Sequence, residues 1–131
     1  MNSLRILVVD DDASVRKVLQ RALKLGGHTP FLAATGEAAC ELLASHDVDL
    51  ILMDLRMPSM SGQTLYHVIA SQWPHLASRV VVMSGDPDAE DHGDWLTLHR
   101  LPVIPKPFEL ASLLSLIEHF VNNAQRRANG A

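Results

Sequence analysis

The chain has 131 residues, 47% of them apolar and 20% charged, proportions of a single soluble globular domain that builds its own core. A formal net charge of −4 at pH 7 argues against nucleic acid or an anionic membrane surface as the main partner. The lone Cys40 excludes an internal disulfide and fits a reducing, cytoplasmic setting; no apolar run reaches the ~18 residues of a membrane helix, and no signal-peptide pattern opens the chain.

Ile6-Leu7-Val8-Val9 is a continuous aliphatic run that stops at Asp10-Asp11-Asp12, as a strand buried on both faces does at a polar edge. After Asp12, a candidate N-cap, Val15, Val18, Leu19, Ala22 and Leu23 recur at helical spacing until Gly26-Gly27 ends them. Residues from His28 to Ala33 read as a weaker strand, and Thr35-Gly36-Glu37 opens a helix with Ala38, Ala39, Leu42 and Leu43 on one side. Val48 to Met53 form a third strand ending at Asp54. A loop with Pro58 and Gly62 follows, then a helix using Leu65, Val68, Ile69 and Trp73, closed before Pro74. Val80 to Met83 is a fourth strand. Leu101 to Ile104 is a fifth, proline-flanked in the manner of a short edge strand. Between those two, the acidic stretch from Asp86 to Arg100, with Pro87 and Gly93, holds a weak or short helix. Glu109 begins a last helix whose buried stripe is Leu110, Leu113, Leu114, Ile117 and Val121, and residues 122–131 read as a polar tail. Strands alternating with helices give an α/β class with a parallel, doubly covered sheet.

In such sheets ligands sit outside the carboxyl ends of the strands, so the residues just after each strand carry the information. They are Asp10, Asp11 and Asp12, then Asp54, then Ser84-Gly85-Asp86, then Lys106-Pro107. Converging carboxylates repel unless a cation neutralises them, and an all-oxygen set suits magnesium, with manganese as a substitute. A carboxylate also serves as nucleophile toward phosphorus when a metal, a lysine and a hydroxyl spread charge over the phosphoryl oxygens; Asp54, Ser84 and Lys106 match those roles. Taken singly, each residue has a plainer reading: the aspartates cap a helix, Asp54 and Ser84 start turns, and Lys106 is a surface lysine. Their conjunction at one rim decides for the site. The seven histidines show no tight ligand pair and are expected at the surface, Cys40 as packing, Met57 and Met60 as packing beside the Asp54 loop, and Trp95 as a surface anchor.

In their order along the chain these residues resemble the receiver domain of bacterial two-component response regulators. The marks are Ile6-Leu7-Val8-Val9-Asp10-Asp11, the loop Met53-Asp54-Leu55-Arg56-Met57-Pro58 through Gly62, Met83-Ser84-Gly85, and Lys106-Pro107-Phe108. The resemblance implies a flavodoxin-like, doubly wound sheet of order 2-1-3-4-5, with residues 1–124 as the receiver and 125–131 as a tail. It implies that Asp54 accepts a phosphoryl group from the phosphohistidine of a sensor histidine kinase or histidine phosphotransfer protein. Asp11, Asp54 and the backbone carbonyl of Arg56 would bind magnesium, with Asp10 acting through water. Lys106 would contact the phosphoryl group, Ser84 would move toward it, and the Lys106-Pro107 peptide would be cis. The changed α4–β5–α5 face would engage a downstream protein, with no direct nucleic acid contact.

Three positions bear on how this sequence compares with the family pattern. Val103 stands where members commonly carry a switch aromatic, and Arg56 and Asp86 occupy positions that tune dephosphorylation and are expected to pair across the mouth of the site. Other readings fit less well. A haloacid-dehalogenase-type phosphatase would place a second carboxylate where Arg56 stands, and a flavodoxin-like cofactor binder would need a phosphate loop where Asp10 to Asp12 repel phosphate. The alternative is a degenerate receiver, a protein interaction module that works without phosphorylation. Nothing after the last helix resembles a DNA-binding element, which fits either a stand-alone receiver or one cut from a larger protein such as a hybrid kinase.

Overall fold

The computed structural model describes residues 3–57, 60–85, 90–106 and 109–130, with side-chain surroundings for all of these except 90–94 and 123–130. Five parallel strands, β1 (Arg5–Val9), β2 (Thr29–Ala33), β3 (Leu50–Asp54), β4 (Val80–Ser84) and β5 (Val103–Pro105), form one sheet in the order β2-β1-β3-β4-β5. The helices between and after them are α1 (Ala13–Leu25), α2 (Gly36–Ser45), α3 (Gly62–Gln72), α4 (Glu90–His99) and α5 (Leu110–Gly130). This is the expected doubly wound architecture.

Strand residues alternate between two cores because successive side chains leave opposite faces of a strand. Leu7, Val9, Ile51, Met53, Val80 and Val82 face one side, where Ala39 and Leu43 of α2, Leu65 and Ile69 of α3 and Leu96 of α4 cover them. Ile6, Val8, Leu50, Leu52, Val81 and Met83 face the other, under Leu19 and Leu23 of α1 and Leu113, Ile117 and Val121 of α5. With both faces covered, β1, β3 and β4 have no solvent side to mark with polar residues. That is why they read as unbroken apolar runs.

Helix starts follow local chemistry. Asp12 caps α1 by accepting from Ser14 N at 2.9 Å, Thr35 caps α2 by accepting from Ala38 N at 3.0 Å, and Ser61 caps α3 by accepting from Thr64 N at 3.1 Å.

The structure departs from the sequence reading in several places. Val18 is 55% exposed and Leu110 46% exposed: each lies at the flank of its apolar stripe, and periodicity gives a stripe's centre better than its width. Pro74–Arg79 form a 3₁₀ helix, too short for apolar periodicity to announce. Helix α5 runs on to Gly130 through residues read as a tail. His28, expected at the surface, is buried, and its Nδ1 accepts from Leu4 N at 3.0 Å. Trp95 is partly buried: with Tyr66, His67 and His99 it forms a ring cluster between α3 and α4, with neighbouring centroids 4.8–6.1 Å apart. Cys40 packs against the α2–α3 core, as does Met57.

Candidate functional site

The order β2-β1-β3 puts the switch point of the sheet between β1 and β3, where connections leave toward opposite faces and a crevice opens. Asp10 and Asp54 stand on either side of it. Asp10 follows β1 directly and its N–H donates to Ala33 O at 3.1 Å, so the ladder of β1 and β2 carries it one residue past the strand. Asp54 is the last residue of β3, paired in register with Met83 of β4.

The Asp10 side chain is fully buried, and both of its oxygens are engaged. Oδ1 accepts from Asp12 N at 2.9 Å and Oδ2 from Lys106 Nζ at 2.8 Å. Asp54 is 8% exposed; its Oδ1 accepts from Arg56 N at 3.2 Å and its Oδ2 from Lys106 Nζ at 3.3 Å. Asp11 is exposed, and one carboxylate oxygen from each of Asp10, Asp11 and Asp54 lies within 4.8 Å of the others. Among the described residues this is the one group of three or more potential metal-ligating side chains. An all-oxygen trio at the crevice is the donor set of a hard divalent cation, so these residues fit Mg²⁺.

Lys106 is tied at both ends. Its N–H donates to Ser84 O at 2.8 Å, while its ammonium bridges Asp10 and Asp54. The pairing of β5 with β4 thus sets the reach of the cation, and Ser84, the buried last residue of β4, shares that corner.

Burial pushes the Asp54 carboxyl above the usual carboxylate range, reinforced by the charge of Asp10 and opposed by the Arg56 N–H and Lys106. Burial also works against the charge on Lys106. The bond to Asp10 and the charges of Asp54 and Asp10 outweigh it and hold the ammonium above the usual lysine range. The asymmetry follows from stoichiometry: one ammonium is shared by two carboxylates, and a third stands beside them. Asp12 does not join the trio's chemistry; the Ser14 hydroxyl and N–H hold its carboxylate as a cap and lower its pKa.

Asp10, Asp11, Asp54 and Lys106, singled out from the sequence, are therefore brought together, with Ser84 at the same edge. The Arg56 side chain is exposed, and only its N–H is seen on Asp54. Asp86 and Pro107 lie outside the described residues, so the expected Arg56–Asp86 pair and cis peptide do too. Val103 is half-buried, paired with Val82 and packed on the same side as Trp95.

Two contributors escaped the sequence reading. Arg16 Nη1 donates to the carbonyl of Asp10 at 2.7 Å; the available signal was a cation near the start of α1, where the helix dipole disfavours it. Gly62, read only as the end of a loop, donates its N–H to Leu55 O at 2.9 Å, and a Cβ there would come within 2.6 Å of Asp54 O and 2.7 Å of Leu55 Cα.

Comparison with known proteins agrees with this geometry. Residues 6–118 match the model of the response regulator receiver domain. The chain is 34% identical over 122 residues to the DNA-binding transcriptional regulator NtrC of Escherichia coli K12, covering 93% of this chain and 26% of that protein. It is 34% identical over 113 residues to the response regulator MprA of Mycobacterium ulcerans, covering 86% of this chain and 48% of that one. The chain thus spans from about a quarter to about half of the length of these relatives. Among solved structures, a response regulator receiver protein from Pseudomonas putida superposes with a TM-score of 0.81 at 30% identity, over 91% of this chain and 98% of that one. With the sheet order, the acidic switch point and a family match over most of its length in agreement, the chain belongs to the response regulator receiver domain family.

Proposed function

We propose that the protein is a phosphoacceptor switch in which Asp54 takes a phosphoryl group from a phosphohistidine of a sensor kinase or histidine phosphotransfer protein. The observation that carries this reading is the convergence of three carboxylates from β1 and β3 with the Lys106 ammonium, with Asp54 buried at the strand end. An Asp54 oxygen attacks phosphorus, an O–P bond forms, and the P–N bond breaks with its electron pair going to the departing imidazole. Lys106 already touches Asp54 and is placed to hold a phosphoryl oxygen as charge moves outward.

Asp11, Asp54 and the Arg56 carbonyl would hold Mg²⁺. Asp10, with both oxygens occupied, would act through water. Bound there, the ion supplies positive charge against the carboxylates and the transferring phosphoryl group. Ser84 is the switch hydroxyl, Arg56 and Asp86 tune the lifetime of the phosphoaspartate, and the α4–β5–α5 face meets a downstream protein. The setting is cytoplasmic; no helix among the described residues is long and apolar enough to cross a membrane. No catalytic activity beyond transfer to, and loss from, Asp54 is assigned.

The reading is tested by transfer of labelled phosphate from a phosphorylated histidine phosphotransfer protein to wild type and to Asp54→Asn. Label on wild type alone supports it. Equal label on both places the acceptor elsewhere, and label on neither favours the phosphorylation-independent module.

A further inference from the structure

The peptide between Asp10 and Asp11 joins two of the three carboxylates at the crevice, and its oxygen is held from an unexpected direction. Arg16, one turn into α1, reaches back to donate Nη1–H to the Asp10 carbonyl at 2.7 Å, while its own N–H donates to Asp12 O at 3.1 Å as part of the helix. Asp10 needs no help to stay in place: its carboxylate is buried between Asp12 N and Lys106. Asp11 has no such anchors. It is exposed, and its carboxylate makes no hydrogen bond to another described residue. Its direction must come from the backbone, and because a peptide unit is planar, holding the Asp10 oxygen fixes the Asp11 nitrogen and Cα in the same plane.

We infer that Arg16 is a positioning residue for the divalent cation. By fixing that peptide it aims Asp11 into the acidic trio, an inference that rests on the Mg²⁺ site proposed above. The position of its charge makes the idea sharply testable. A guanidinium beside an acidic pocket repels an incoming cation, so a residue with only an electrostatic effect would, when neutralised, leave Mg²⁺ bound more tightly. A residue that aims a ligand would, when neutralised, leave Mg²⁺ bound more weakly, because groups that orient metal ligands typically contribute 10–100-fold in affinity.

The experiment is a Mg²⁺ titration of the whole chain by calorimetry and by the amide resonances of Asp10 to Asp12. It compares wild type, Arg16→Gln, Arg16→Lys and Asp11→Asn, with thermal melts in the absence of Mg²⁺ to report folding. Arg16→Gln is expected to weaken Mg²⁺ binding roughly 10-fold. Arg16→Lys, which keeps the charge and loses the planar fork, is expected to weaken it at least as much. Should Arg16→Gln fail to fold, Arg16→Lys still separates the two roles, because a purely electrostatic role predicts unchanged binding in a variant that keeps the charge. Unchanged or tighter binding in a folded Arg16 variant overturns the inference, and a lowered melting temperature with an unmoved Kd means that Arg16 serves stability alone. Wild type that binds no Mg²⁺, or binds it as Asp11→Asn does, overturns the metal site itself, an outcome distinct from failure of the Arg16 variants alone.

Discussion

Three residues show most plainly how burial sets chemistry here. Asp54 carries its charge against its surroundings: burial raises its pKa, and Lys106 is already shared with Asp10. With the folded pKa above the unfolded value of about 3.8, the native state holds this proton more tightly, so the group's contribution to stability grows as pH falls through the folded pKa toward the unfolded one. The neutral isostere imitates that gain. Asp54→Asn is expected to melt at a higher temperature than wild type at pH 7 without Mg²⁺, and a lower melting temperature would contradict the assignment of Asp54 as the strained member of the trio. His28 runs the other way. Burial lowers its pKa from about 6.5, and its Nδ1 must stay unprotonated to accept from Leu4 N. The unfolded chain takes up a proton that the native state refuses, so this stability is full above the unfolded pKa and is lost as pH falls through it. In urea unfolding, the advantage of wild type over His28→Gln is expected to shrink between about pH 8 and about pH 5; a constant difference would mean that the imidazole is not held neutral. Gly62 is steric. A Cβ would press on the backbone of Asp54 and Leu55, so Gly62→Ala is expected to cost about 1–3 kcal/mol and to slow phosphorylation of Asp54, with Gln63→Ala as a neighbouring control.

Legibility differs among the elements for physical reasons. Strands β1, β3 and β4 are buried on both faces and flagged by carboxylates or a hydroxyl at their ends, so their positions and the convergence of Asp10, Asp11, Asp54 and Lys106 could be read directly. Edge strands β2 and β5 carry fewer apolar residues, and β5 shrinks to Val103–Pro105. What could not be read was contact across elements. His67 and Trp95 are 28 residues apart, and no periodicity within α3 or α4 announces that Trp95 Nε1 points at His67 Nε2 at 3.5 Å or that Tyr66 and His99 close the cluster. The burial of His28 escaped for the same reason, because its hydrogen-bond partner, Leu4, precedes β1. The ring cluster fastens α4 to α3, whereas Arg100, the residue just after α4, has φ of 54°, a left-handed conformation that disfavours a side chain. Trp95→Leu is expected to cost about 1 kcal/mol and to speed amide exchange across α4 while leaving β4 protected. Equal protection of α4 in both proteins would show that the rings do not hold it.

At the scale of the whole molecule, two apolar cores clamp a parallel sheet whose strand order opens one crevice, and the acidic trio sits at that crevice with a lysine that follows the far edge strand reaching across it. Lys106 ties Asp54 to the β4–β5 edge, its ammonium bonded to the Asp54 carboxylate and its N–H to Ser84 O. The central claim is that this crevice performs phosphoryl transfer to Asp54 with help from a divalent cation. The most direct test is the intact mass of the protein after incubation with acetyl phosphate, with and without Mg²⁺, for wild type and Asp54→Asn. A gain of one phosphoryl group that requires Mg²⁺ and vanishes in Asp54→Asn is the predicted result. A gain that persists in Asp54→Asn, or no gain in wild type with Mg²⁺ present, would contradict it.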